Sequence, residues 1–159
     1  MQSITILCPS PLMKDKTTKP LLDEYLKRIS AKVDCPTLAI KTKAGDSDSI
    51  VKQKQADGLT DALAKLPQNT AVIVLDENGK NPDSITFAKD IEKITLNGYS
   101  HFCFIIGGAF GLTDTVLEKA DYKLAFGKMV WPHRLVAVML LEQLYRTQQI
   151  LAGHPYHKA

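Results

Sequence analysis

The residues best equipped for chemistry lie in the last third of this 159-residue chain. The apolar run Phe102, Cys103, Phe104, Ile105, Ile106 stops at once on Gly107 and Gly108, with Gly111 close behind. Backbone without Cβ atoms lets a ligand approach closely. The spacing is GGxxG rather than GxGxxG, and no Gly-Lys-Ser/Thr follows, so neither a dinucleotide fingerprint nor a phosphate loop is present; on spacing alone a plain turn fits equally. The loop from Phe126 to Pro132 contains the only tryptophan, Trp131, suited either to anchoring the loop or to walling a pocket. His133 then opens a helix on which Glu142 and Arg146 stand four residues apart, a spacing that gives an ion pair worth about 0.3 to 0.5 kcal/mol at a surface, or a shared polar site. The chain ends His154-Pro155-Tyr156-His157-Lys158. Aromatic rings beside positive groups suit the stacking and phosphate contact of a looped RNA, whereas an inert terminus is the plain alternative. Two histidines with Pro155 between them and no nearby carboxylate make a poor metal pair, and no metal site is expected.

These groups need a scaffold, and the hydrophobic pattern supplies one. Ile4 to Cys8 reads as a first strand ended by Pro9 and Pro11. A helix is predicted from about Thr18 to Val33, with Thr18 as its cap and Pro20 tolerated in the first turn. Thr37 to Thr42 reads as the second strand, and a polar loop leads to a helix from about Ser49 to Leu66, with Gly58 as its weak point. Thr70 to Leu75 is almost wholly apolar, as a strand buried on both faces of a parallel sheet must be. Asp76 to Lys80 reads as a turn at its carboxyl end. A helix from about Ser84 to Asn97, the strand Phe102 to Ile106, a short helix near Thr113 to Ala120, the strand Tyr122 to Phe126 and a helix from about His133 to Ala152 complete the series. Strict alternation of strand and helix predicts an α/β fold with a parallel sheet and helices on both faces. In such sheets ligands bind beyond the carboxyl ends of the strands, which points to Leu75-Asp76, Gly107-Gly108 and Phe126-Gly127.

Composition sets the remaining bounds. Hydrophobic residues make up 45% and charged residues 23%, so the chain is neither disordered nor fibrous, and its length fits one domain over 1–159. A formal charge of +3 permits a nucleic-acid partner without requiring one. Cys8, Cys35 and Cys103 are odd in number and widely spaced, which predicts reduced core thiols. No apolar stretch approaches a membrane span, and the N-terminus lacks a basic segment before its short apolar run, so a cytoplasmic location is expected. The last helix is apolar around much of its circumference, through Leu135, Val136, Val138, Met139, Leu140, Leu141 and Leu144. Such a helix needs cover on more than one side, which predicts a homodimer.

The segments IIGGAFGL, the Pro-His after the loop, EQLYR and HPYHK together resemble the ribosomal large subunit methyltransferase H family, in the SPOUT class of S-adenosylmethionine-dependent RNA methyltransferases. The resemblance spans essentially the whole chain. It implies a deep trefoil knot near the C-terminus and S-adenosylmethionine as cofactor. The cofactor would be held by Leu75, Gly107, Gly108 and the loop residues Phe126, Gly127, Lys128, Met129, Val130 and Trp131. It further implies that Glu142, Arg146, Tyr156 and His157 form a catalytic group shared across the dimer. The implied reaction is methylation of N3 of a pseudouridine in helix 69 of 23S rRNA on the assembled ribosome. Two positions depart from the family pattern: Phe110 stands where some relatives carry a polar or acidic residue, and Ala137 where an arginine is common, with Arg134 one helical turn earlier as a substitute charge. The residues alone leave two alternatives, a nucleotide-binding α/β regulatory module and a noncatalytic RNA-binding dimer.

Overall fold

A computed structural model describes residues Met1–Lys158. Ten principal elements alternate along the chain: β1 (Ser3–Leu7), α1 (Lys19–Arg28), β2 (Lys32–Asp34), α2 (Asp48–Leu63), β3 (Thr70–Lys80), α3 (Ser84–Leu96), β4 (His101–Ile106), α4 (Asp114–Leu117), β5 (Tyr122–Leu124) and α5 (His133–Leu151). The five strands form one sheet in the order β2-β1-β4-β3-β5, and every pairing is parallel. Side chains that alternate along the strands feed two separate cores. Ile4, Ile6, Ile73, Phe102 and Phe104 pack with Leu22 of α1, Phe87 and Ile91 of α3, and Leu140, Leu141 and Leu144 of α5. Leu7, Val74, Cys103 and Ile105 pack on the other face with Ala56 and Leu59 of α2 and Val116 of α4. The α/β class, the parallel sheet and the two-sided helical cover therefore follow the sequence pattern.

Several boundaries differ from it. The second strand is Lys32–Asp34, not Thr37 to Thr42, because α1 ends at its cap Ile29 and the chain pairs with β1 immediately afterwards. The apolar residues of the expected strand serve packing instead: Leu38 joins the second core, and Ile40 fills the space beside Gly58, where a Cβ would lie 2.7 Å from Ile40 Cγ1. Thr18 makes no side-chain cap; Asp15 Oδ1 accepts from the backbone N–H groups of Thr17 and Thr18 at 3.0 and 2.9 Å. The α2 helix ends at Leu63, before Leu66, and is capped by Ser47. The short helix and the fifth strand are trimmed to Asp114–Leu117 and Tyr122–Leu124.

The most consequential difference is at Asp76 to Lys80, which continues β3 rather than simply turning away from it. Leu75 and Lys80 both align with Leu124, so the intervening residues make an excursion from the ladder and return. The return is fixed by the Ala125 N–H donating to the Lys80 carbonyl at 2.7 Å. Gly79 is pressed against β5 there: a Cβ would meet the Lys123 carbonyl group at 2.7 Å and the Leu124 nitrogen at 2.8 Å. Backbone cannot rotate away as a side chain can, so Gly79→Ala forces the two segments apart. We expect a loss of about 1 to 3 kcal/mol and a lowered Tm in thermal denaturation, with wild-type stability as the contrary result.

Candidate functional site

The excursion of β3, the turn after β4 and the loop after β5 close around one cavity of about 750 Å³. Its walls include Leu75, Asp76 and Glu77 from the first, Gly107, Gly108, Gly111 and Leu112 from the second, and Phe126, Gly127, Met129, Val130 and Trp131 from the third. The volume lies within the usual range for a small organic ligand. A Cβ on Gly108 would come within 2.6 Å of Gln55 Oε1 on α2, and one on Gly107 within 3.2 Å of Leu112 Cγ, so a side chain at either position would make these neighbours shift. Gly127, with φ of +92°, takes the chain through the left-handed region that glycine adopts most readily. Asn81 Oδ1 accepts from the Gly127 N–H at 3.2 Å, and the Trp131 indole N–H donates to the Phe126 carbonyl at 3.1 Å. Trp131 is thus both loop anchor and cavity wall.

Eight of the nine residues expected around a cofactor line this cavity. Lys128 does not, and it is exposed. Phe110 is also outside the lining and 40% exposed. Sequence reasoning did not include Leu124, Ala125 or His133 among the cavity residues, although the strand-end rule pointed to their neighbourhood. Burial, followed by the neighbouring Arg134, holds the His133 pKa below the ordinary imidazole value, while Asp15 opposes the shift.

The four expected catalytic residues come together elsewhere. Glu142 Oε1 accepts from Arg146 Nη2 at 2.6 Å and from the Tyr156 hydroxyl at 3.1 Å. Arg146 Nη1 lies 3.2 Å from His157 Nδ1, and its guanidinium sits 4.8 Å from the centre of the Tyr156 ring. Tyr156 also meets Tyr145 edge-on, with ring centroids 4.8 Å apart. The bond to Glu142 raises the Arg146 pKa further, and burial followed by the Glu142 charge raises that of Tyr156. Arg146 remains a cation and Tyr156 a phenol at neutral pH. The tail turns at Gly153, φ +65°, and folds back on α5, where Glu142 and Arg146 offer it paired charges.

None of these four residues lines the first cavity. Glu142 lines a second one of about 570 Å³, with Tyr25, Phe87, Val138 and Met139. Leu124, Ala125 and Phe126 border both cavities, which therefore lie on two sides of one short segment.

A family model described as predicted SPOUT methyltransferase matches residues 2–157. Proteins named ribosomal RNA large subunit methyltransferase H are similar throughout: that of Clostridium novyi is 41% identical over 98% of this chain and 99% of its own. That of Carboxydothermus hydrogenoformans is 40% identical over the same shares, and that of Enterococcus faecalis 36% over 92% and 94%. The chain belongs to the SPOUT methyltransferase family, in its ribosomal RNA large subunit methyltransferase H group. SPOUT methyltransferases generally use S-adenosylmethionine.

Against that family the two departures have distinct settings. Ala137 is fully buried in the first core, with no room for an arginine without repacking. Arg134 pairs with Asp15 at 3.0 Å, at the approach to α1. Other features are structural. Cys8, Cys35 and Cys103 are free thiols whose pKa values burial pushes up to about 11, 11 and 12. Among the described residues no group of three metal-capable side chains occurs, and no helix is long and apolar enough to cross a membrane.

The depressed pKa of His133 has a sign for stability. Below about pH 6.5, the usual imidazole value, the unfolded chain takes up the proton before the folded one does. The stability His133 contributes is full above that pH and is lost as pH falls through the folded value. His101, lowered chiefly by burial between Ser3 and Thr5, has the same sign. Melting curves of His133→Asn should therefore decline less steeply than wild type between about pH 7 and 5, and parallel acid limbs would contradict this.

Proposed function

We propose that this protein is an S-adenosylmethionine-dependent methyltransferase that modifies N3 of a pseudouridine in helix 69 of 23S rRNA on the assembled ribosome. It acts as a single SPOUT domain over 1–159 in a cytoplasmic homodimer. The observation that carries the reading is the cavity at the carboxyl ends of β3, β4 and β5, whose walls are glycine turns, backbone and apolar side chains. Membership of the SPOUT family further supports a trefoil knot near the C-terminus.

The residues fit the cofactor. The turn at Gly107, Gly108 and Gly111 brings backbone into the cavity wall, and the lining offers apolar surface for an adenosyl group. Asp76 and Glu77 are its carboxylates, and His133 is held toward its neutral form, which suits a ligand carrying a sulfonium. When bound, S-adenosylmethionine supplies an activated methyl group. The protein's share is to position the target base and to favour loss of its N3 proton. Positioning alone can lower such a barrier by about 7 to 11 kcal/mol. Arg146 supplies a positive group that favours the anion of the base, and Glu142 orients both Arg146 and Tyr156. Tyr156 offers a ring for stacking.

The separation of cavity and cluster supports a dimer. One chain keeps Arg146 and Tyr156 outside its own cavity, so a neighbouring copy would have to bring its cluster to that cavity. The half-buried Val138 and Met139, beside Phe126 and Tyr25, offer apolar surface for that contact.

Activity, binding and assembly measurements test this reading. Ribosomes from cells lacking the protein, incubated with it and S-adenosylmethionine, should gain one methyl group on the helix 69 pseudouridine by mass spectrometry of the rRNA. A chain cut after Ala152 should retain cofactor binding and nearly all of its Tm, because it loses no strand, yet methylation should fall by at least a hundredfold. Normal methylation by the cut chain would make the tail inert. Binding of nucleoside triphosphate in preference to S-adenosylmethionine would favour the regulatory-module reading, and RNA binding without cofactor dependence the noncatalytic one. Met139→Glu would bury an unpaired carboxylate at the proposed interface and should yield monomers or aggregates in analytical ultracentrifugation. A stable, active monomer would contradict the dimer.

A further inference from the structure

Behind the glycine turn, on the side away from the cavity, stands a side chain with no evident structural duty. Gln55 projects from α2, whose neighbours Ala56 and Leu59 pack into the second core. Its carboxamide occupies the space where a Cβ of Gly108 would be, with Oε1 at 2.6 Å and both Cδ and Nε2 at 3.2 Å from that position. Oε1 is buried and has no hydrogen-bond partner among the described residues. A buried carbonyl oxygen without a donor is unfavourable, and an apolar residue of the same length would avoid the cost. Glutamine is the poorer choice for the turn in its present form.

The turn itself holds the missing donors. Gly108, Ala109 and Gly111 line the cavity, while Gln55 touches Gly108 from behind. A planar trans peptide points its C=O and N–H in opposite directions. A peptide in this turn that offers its carbonyl to a ligand therefore offers its N–H to Gln55. At present the Gly108 carbonyl is held inside the turn by the Gly111 N–H at 3.0 Å. Releasing it requires a rotation that Gly108, lacking Cβ, accommodates at little steric cost.

We propose that Gln55 is a positioning residue for the cofactor site: its Oε1 accepts a backbone N–H of Ala109 or Phe110 when ligand seats against the Gly107–Gly111 turn. Gln55 stabilises the ligand-bound form of the turn and not the free form. A ligand shifts a conformational equilibrium only by its differential interaction with the two states, and Gln55 adds to that difference from behind. The inference rests on the cofactor reading given above.

The test is Gln55→Met, which keeps the length of the side chain and removes the acceptor, titrated calorimetrically with S-adenosylhomocysteine. Without ligand, the Tm of the variant should equal or exceed that of wild type. Its affinity for S-adenosylhomocysteine should fall about fivefold to tenfold, the worth of one hydrogen bond. By hydrogen exchange, the amides of Ala109 and Phe110 should gain protection on ligand addition in wild type and not in the variant. Equal affinity in the two proteins overturns the inference alone. A variant whose Tm without ligand falls along with its affinity also overturns it, since that is what a merely structural contact would give. Wild-type protein that fails to bind S-adenosylhomocysteine overturns the cofactor reading and this inference together.

Discussion

The contact on which the site depends is the hydrogen bond from the Ala125 N–H to the Lys80 carbonyl. It joins the end of the β3 excursion to the end of β5, and it makes Leu124 the register partner of both Leu75 and Lys80. Without it, Asp76 to Gly79 would be an ordinary exposed loop and the chain after Leu124 would have no fixed direction. With it, Asn81 can hold Gly127, the chain can bend at its positive φ, and the Trp131 indole can reach back to the Phe126 carbonyl. Each bond is individually modest, of order 1 kcal/mol. Their arrangement in series converts a short strand edge into a cavity wall. Gly79 makes the arrangement possible, because the two backbones approach more closely than any side chain at that position allows.

The sheet beneath was legible because its signals are local. Runs such as Ile73 to Leu75 and Phe102 to Ile106 are apolar on consecutive residues, and only strands covered on both faces tolerate that. The positions of the helices followed from their apolar faces and stop signals. The second strand was misplaced because Leu38 and Ile40 have the composition of a strand, while the true strand, Lys32–Asp34, is short and mostly polar. It is an edge strand and needs only backbone pairing with β1. The reach of β3 past Leu75 was illegible for a related reason: Asp76, Glu77, Asn78 and Gly79 have turn chemistry, and Asp76 Oδ1 does accept from the Asn78 N–H. What brings that turn back is a partner far along the chain.

The site was legible in a different way. Eight cavity residues could be named beforehand because they sit at strand ends or resemble a known motif. Gln55 could not, since its importance lies in a contact with Gly108 across more than fifty residues of sequence and in an unpaired oxygen that no pattern of residue types reveals. The Glu142, Arg146, Tyr156 and His157 group was foreseen as a group, but its internal bonding was not. Residue types at a terminus do not show which partners they take; the Tyr156 hydroxyl and the His157 ring nitrogen find theirs on α5.

If the reaction is the one proposed, that bonding bears on how Arg146 is kept ready for a base losing its N3 proton. Arg146 is surrounded by a carboxylate, an imidazole and an aromatic face, so its charge is already compensated. A base entering such a cluster must compete with Glu142 for the guanidinium, and it gains from Arg146 only to the extent that it carries negative charge itself. A neutral pyrimidine competes poorly, whereas one that is losing its N3 proton competes well. Interactions that strengthen only as charge develops lower a barrier rather than merely tightening binding. The pairing of Arg146 with Glu142 therefore favours selective stabilisation of the proposed transition state. The cavity and the cluster then need only be brought to opposite sides of one base, and two copies of the chain meeting over Phe126, Val138 and Met139 would achieve this without either copy refolding its own site.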